Sequence, residues 1–103
     1  MAIVVADDDA PVREIVWRFL YRLGFDCICV TGAADLMRVC RKRRPRLVIS
    51  DVSMPDGDGI QSCLELRRLY PNLPVIIITG DPSHAERARN AGFRRILLKP
   101  FEW

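Results

Sequence analysis

The stretch Leu47-Val48-Ile49-Ser50-Asp51-Val52-Ser53-Met54-Pro55-Asp56-Gly57-Asp58-Gly59 decides the fold. It opens as a short apolar run and reaches an acid at Asp51. A Pro-Asp-Gly-Asp-Gly turn then leads into a segment where Ile60, Cys63 and Leu64 mark a helical face, widened by Leu66 and Leu69. A short run without alternation suits a strand covered on both faces, and a helix after it is the unit of a parallel sheet. Outward from this stretch the same unit recurs. Ile3-Val4-Val5-Ala6 stops at Asp7-Asp8-Asp9, followed by Val12, Ile15, Val16, Phe19, Leu20 and Leu23 at helical spacing, with Gly24 as the stop. Phe25–Val30 predicts a strand, and Thr31-Gly32 opens a helix carrying Leu36, Met37, Val39 and Cys40. Pro71 precedes the run Val75–Ile78, a weaker helix is predicted over about Ser83–Ala91, and Arg95–Leu98 is the last strand. The pattern predicts an α/β fold, a doubly wound five-stranded parallel sheet with helices on both sides.

A chain of 103 residues has room for one core. Half of its residues are hydrophobic and 28% are charged, which excludes a disordered tail. No apolar run approaches the roughly 18 residues of a membrane span, and the start has neither a basic leader nor a long apolar segment. Cys27, Cys29, Cys40 and Cys63 match no zinc spacing, so reduced thiols in a cytoplasmic protein are expected. The net charge is +3. The basic cluster around Arg41-Lys42-Arg43-Arg44 is read as the solvated carbonyl end of a helix, where positive charge suits the dipole.

In doubly wound sheets the chemistry lies beyond the carboxyl ends of the strands. Asp7 and Asp8 follow the first strand, Asp51 ends the third, Thr79 the fourth and Lys99 the fifth. Asp7, Asp8 and Asp51 would converge as hard oxygen ligands whose mutual repulsion a divalent cation relieves, and Mg²⁺ suits a few carboxylates plus phosphate oxygens. A carboxylate, a metal, an ammonium and a hydroxyl are the parts of phosphoryl transfer onto an acid side chain. These residues alone leave the phosphodonor open.

Four segments in order carry a resemblance: Ile3–Asp9, Asp51–Gly59, Pro74–Gly80 and Lys99-Pro100-Phe101. With them the chain resembles the receiver domain of two-component response regulators over residues 1–103. The resemblance implies the flavodoxin-like strand order 2-1-3-4-5. It also implies Asp51 as the phosphoacceptor, receiving its group from a histidine kinase or a phosphotransfer protein. Asp8 would ligate Mg²⁺ directly, Asp7 through a water, and Ser53 through its backbone carbonyl. Thr79 would move toward the phosphoryl oxygens, Lys99 would pair with one of them, and a cis bond would precede Pro100. Gly57 and Gly59 suit a tight loop that a side chain would obstruct. Ser53 and Asp81 are expected to tune how water reaches the acyl phosphate. A homodimer and an output domain in a longer parent chain are compatible with it; direct nucleic-acid binding and a membrane are not expected. The runner-up is a receiver-like interaction module that does not switch on phosphorylation.

Other residues have simpler readings. Asp9 is expected to cap the first helix or support the site from behind, and Asp56 and Asp58 are turn residues. Asp81-Pro82, or Ser83 with Glu86, caps the fourth helix, and His84 in its first turn is expected to be solvated. Three features depart from the family pattern. Ile96 stands where receivers commonly carry the switch tyrosine or phenylalanine. The segment Thr79–Gly92 is shorter than usual, and its helix offers mainly Ala85, Ala88 and Ala91 to the sheet. Finally, Phe101-Glu102-Trp103 falls where the fifth helix should begin, so a C-terminally truncated domain with an uncovered apolar strip beside the first helix is expected.

Overall fold

Alternating apolar side chains in each strand supply both layers of the core. The computed structural model describes residues 2–100. In β1 (Ile3–Ala6), Val4 and Ala6 point into one cluster while Ile3 and Val5 point into another on the opposite side. The same division runs through β3 (Leu47–Asp51) and β6 (Val75–Thr79), where Val48 and Ile77 join the first cluster and Ile49 and Ile78 the second. With β2 (Cys27–Val30) and β7 (Arg95–Leu98) these strands form a parallel sheet in the order β2-β1-β3-β6-β7. Counting only sheet strands, that is 2-1-3-4-5, as expected. The extra labels belong to a small antiparallel ladder, β4 (Ser53–Met54) with β5 (Gly57–Asp58), in the loop after Asp51.

Helix α1 (Ala10–Arg22) covers one face through Val16 and Leu20. On the other face lie α2 (Ala33–Arg43), α3 (Gly59–Leu69) and α4 (Pro82–Asn90). Leu36, Cys63 and Leu66 are fully buried there, whereas α4 buries only Ala85 and Ala88. A buried methyl contributes roughly 0.8 kcal/mol, and truncating a buried leucine costs about 2–5 kcal/mol, so packing holds α4 least firmly. Its N-terminus is instead fixed by Asp81, whose carboxylate accepts the Ser83 amide at 2.8 Å with Pro82 in the first turn.

Several boundaries differ from the sequence reading. The second strand starts at Cys27 rather than Phe25, because the Phe25 amide donates to Leu20 O and closes α1 behind Gly24 at φ +86°. The fourth helix begins at Pro82 and ends at Asn90. His84 is not freely solvated: its side chain is 27% exposed and Nε2 lies 3.7 Å from Asp81 Oδ2. Asp9 holds the N-cap position of α1 but makes no side-chain cap bond. The apolar strip beside α1 is present, with Ile15 and Leu97 exposed and Leu97 closing a small cavity against Val16, Phe19 and Leu20. The fifth-helix expectation falls on residues 101–103, outside the described residues. Arg41–Arg44 are exposed at the carbonyl end of α2, where Arg44 adopts φ +47°.

Gly59 is the tightest backbone position, since a Cβ there would lie 1.9 Å from the Asp51 carbonyl oxygen. We expect Gly59→Ala to lower unfolding free energy by about 3 kcal/mol or more in urea titrations. Gly24→Ala, which meets open space but requires a left-handed φ, is expected to cost only about 1–2 kcal/mol.

Candidate functional site

Parallel strands deliver their C-terminal residues to one edge, and three buried polar side chains lie along it. Asp7 is fully buried just beyond β1, Asp51 is 7% exposed at the end of β3, and Thr79 is 2% exposed at the end of β6. Lys99 arrives from the segment after β7, where its amide donates to Thr79 O at 2.7 Å and its bond to Pro100 is cis, as the resemblance implied. Its Nζ lies 2.8 Å from Asp7 Oδ2 and 3.2 Å from Asp51 Oδ2, so one ammonium spans both buried carboxylates.

Burial and the neighbouring Asp7 raise the Asp51 carboxyl above its usual range, and Lys99 offsets only part of this. Burial works against the charge on Lys99, yet Asp7 and Asp51 outweigh it and hold the ammonium above its usual value. Asp8 is exposed beside them. Carboxylate oxygens of Asp7, Asp8 and Asp51 all lie within 4.8 Å of one another. Three hard carboxylate oxygens this close, with room for water to complete the shell, are the donor chemistry that suits Mg²⁺. The sheet edge thus brings Asp7, Asp8, Asp51 and Lys99 together.

Thr79 and Ser53 are placed differently. The Thr79 hydroxyl accepts the Asp81 amide at 3.1 Å rather than bonding Asp51. Ser53 is exposed in β4, paired with Asp58 in the small ladder.

Asp9 supports the site from behind as expected, through its amide, while other supporting contacts escaped the sequence reading. Arg13 of α1 donates to the Asp7 carbonyl at 2.8 Å, and the Asp9 amide donates to Asp7 Oδ1 at 2.9 Å, which orients that carboxylate. Buried Ser50 donates its hydroxyl to the Asp51 carbonyl at 2.9 Å; its signal was a hydroxyl inside an otherwise apolar strand. Asp56 and Asp58 are in the turn as expected but do more than turn the chain. Asp56 accepts the Ala33 and Ala34 amides at 2.7 and 3.1 Å, capping α2, and these bonds hold its carboxyl below the usual range. Asp58 caps α3 through the Ile60 amide at 2.8 Å and pairs with Arg87 of α4. Burial opposes its charge, but Arg87 and that amide win and lower its carboxyl. Asp56 had a readable clue in Gly32, a capping position with no side chain to cap.

Comparison with known proteins bears on the family and the fold. A family profile, the response regulator receiver domain, matches residues 3–103. The DNA-binding transcriptional regulator NtrC of Proteus hauseri is 35% identical over 100 residues, covering 95% of this chain and 21% of that protein. The response regulator MprA of Mycobacterium sp. (strain KMS) is 35% identical over 101 residues, covering 96% of this chain and 44% of that one. The chain therefore spans less than half the length of these relatives. The receiver domain of NtrX from Brucella abortus superposes with a TM-score of 0.89 at 29% identity, covering 97% of this chain and 87% of that one. On the strength of this match over nearly its whole length, the chain belongs to the response regulator receiver domain family.

Proposed function

We propose that this receiver domain is a phosphoacceptor switch in two-component signalling, with Asp51 taking a phosphoryl group from a histidine kinase or phosphotransfer protein in a Mg²⁺-dependent reaction. The observation that carries the reading is the single Lys99 ammonium shared by two buried carboxylates beside an exposed third. Asp7, Asp8 and Asp51, with the Ser53 carbonyl, would hold the cation, which supplies positive charge to the phosphoryl oxygens. An Asp51 carboxylate oxygen forms the new bond to phosphorus while the donor's P–N bond breaks and the imidazole leaves with the electron pair. Lys99 then exchanges its contact with Asp51 for a phosphoryl oxygen, and the Thr79 hydroxyl turns from the Asp81 amide toward another. Ser53 and Asp81, each two positions beyond a site residue, set water's access to the acyl phosphate. The setting is cytoplasmic; no helix among the described residues is long and apolar enough to cross a membrane.

The chain's relatives continue beyond the matched region, so an output domain in a longer parent is part of the proposal. One similar structure, 25% identical with a TM-score of 0.87 over 98% of this chain and 85% of that one, is a beryllofluoride-activated NtrC4 receiver domain dimer. Homodimerisation is accordingly proposed here as well. The alternative, an interaction module that does not switch, is favoured by Ile96. It is partly buried against the main core and has no aromatic ring to report the Thr79 rotamer.

Intact mass after incubation with Mg²⁺ and a small phosphodonor tests the reading. We expect one phosphoryl gain that disappears with chelator or in Asp51→Asn, and a rate on the order of 10²-fold lower in Lys99→Ala. No gain in a folded sample would sink the switch and leave the passive module. Stability gives a second test. A raised Asp51 carboxyl means the folded state disfavours its charge, a cost present above that raised value and lost as pH falls through it. Without divalent cation, Asp51→Asn is therefore expected to melt above the parent at neutral pH, about 4–8 °C per kcal/mol relieved. The difference should shrink on acidification, and Mg²⁺ should raise the melting temperature of the parent far more than that of the variant.

A further inference from the structure

We propose that Cys27 and Cys29 form a dithiol site for one thiophilic centre that makes two bonds to sulfur, either a trivalent arsenical or monovalent copper. The two residues are two apart on β2, so their side chains share one face, and β2 is an edge of the sheet open to solvent. Their Sγ atoms lie 4.0 Å apart. Two S–As bonds of about 2.3 Å at nearly right angles bring the sulfurs to roughly 3.3 Å, and two bonds of about 2.2 Å to a linear Cu(I) spread them to roughly 4.4 Å. The spacing already present lies between the two and reaches either by a small side-chain rotation. A direct disulfide fits poorly. Residues two apart in a parallel strand have Cα atoms about 6.6 Å apart, near the upper limit for a bridge, and the sulfurs would still have to close to about 2.05 Å. The geometry therefore prefers a bridging atom to an S–S bond.

Access agrees with chemistry. Cys29 is exposed and Cys27 half-buried, whereas Cys40 and Cys63 are buried, with thiols that burial pushes up to about 11 and 12. The pair shares one proton: the bond to Cys27, with help from the Arg13 guanidinium, lowers the Cys29 thiol, while the same bond and burial raise the Cys27 thiol. Cys29 is therefore the sulfur that engages the guest first. Cys27 also opens onto a cleft of about 520 Å³ lined by Trp17, Tyr21 and Phe25, room for an aryl substituent on the bound atom. Zinc is not the guest, because a closed zinc site needs four ligands and the nearest cluster of three or more metal-ligating groups among the described residues is at Asp7, Asp8 and Asp51. Soft, low-coordinate centres prefer such thiolates. With an organoarsenic(III) oxide, two S–As bonds form, both S–H protons leave with the arsenical oxygen as water, and arsenic stays trivalent.

The probes are phenylarsine oxide, followed by native mass, and Cu(I) in competition with a chromogenic chelator, on the reduced chain with excess monothiol. We expect one phenylarsine adduct (the reagent less one water), one copper equivalent, or both, each at least 100-fold weaker in Cys27→Ser and in Cys29→Ser. Either guest alone supports the site and identifies what it takes. Absence of both, or an adduct that survives in either single variant, overturns the proposal. Unchanged thermal melting and unchanged far-ultraviolet circular dichroism in the serine variants would show an intact fold. The outcome is independent of whether Asp51 accepts a phosphoryl group.

Discussion

The shared Lys99 ammonium is the interaction on which the carboxyl edge of the sheet depends. Two carboxylates, one fully buried and one nearly so, stand side by side at strand ends, an arrangement that repels itself and is costly to desolvate. Lys99 lies within 3.2 Å of both, and its own backbone is tied to β6 through the Thr79 carbonyl. The balance is incomplete: two buried acids and an exposed third face a single cation. That surplus of negative charge is what the divalent cation of the proposed reaction would offset.

A second layer of polar contacts ties the loop after Asp51 to three helices. Asp56 reaches α2, while Asp58 caps α3 and pairs with Arg87 of α4. Movement of this loop would therefore be felt on the whole face carrying α2, α3 and α4. Of these, α4 has the weakest apolar anchorage, two buried alanines, and an exposed ion pair contributes at most about 1 kcal/mol. Soft attachment leaves α4 the helix most easily displaced, and the proposed switch turns on whether it moves. Ile96 bears on the same question, because an aliphatic side chain fills the space beside α4 without the two-position character of a large ring.

The order of elements, the parallel sheet and the edge at which the candidate residues gather were all legible in the sequence, because they follow from local patterns. Apolar runs such as Val75–Ile78, helical spacing such as Val16 and Leu20, and stops such as Gly24 need no distant partner to be recognised. The candidate acids, Lys99 and Thr79 could be placed because strand ends in a parallel sheet share one edge. The start of β2 was misplaced because Phe25 spends its amide closing α1, a choice between two elements that a local apolar pattern does not reveal.

What only the tertiary structure decided is which polar groups satisfy one another. Asp56 lies 23 residues from the Ala33 amide it caps, Asp58 lies 29 from Arg87, and Asp51 lies 48 from Lys99. In each case the sequence supplied the charge and the turn, but the partner was set by how the chain folds back. The same holds for Cys27 and Cys29, whose exposure depends on β2 ending up at an edge. Periodicity is a property of neighbouring residues, so a sequence carries it directly; charge pairing and desolvation depend on distances through space, and those exist only once the sheet has formed.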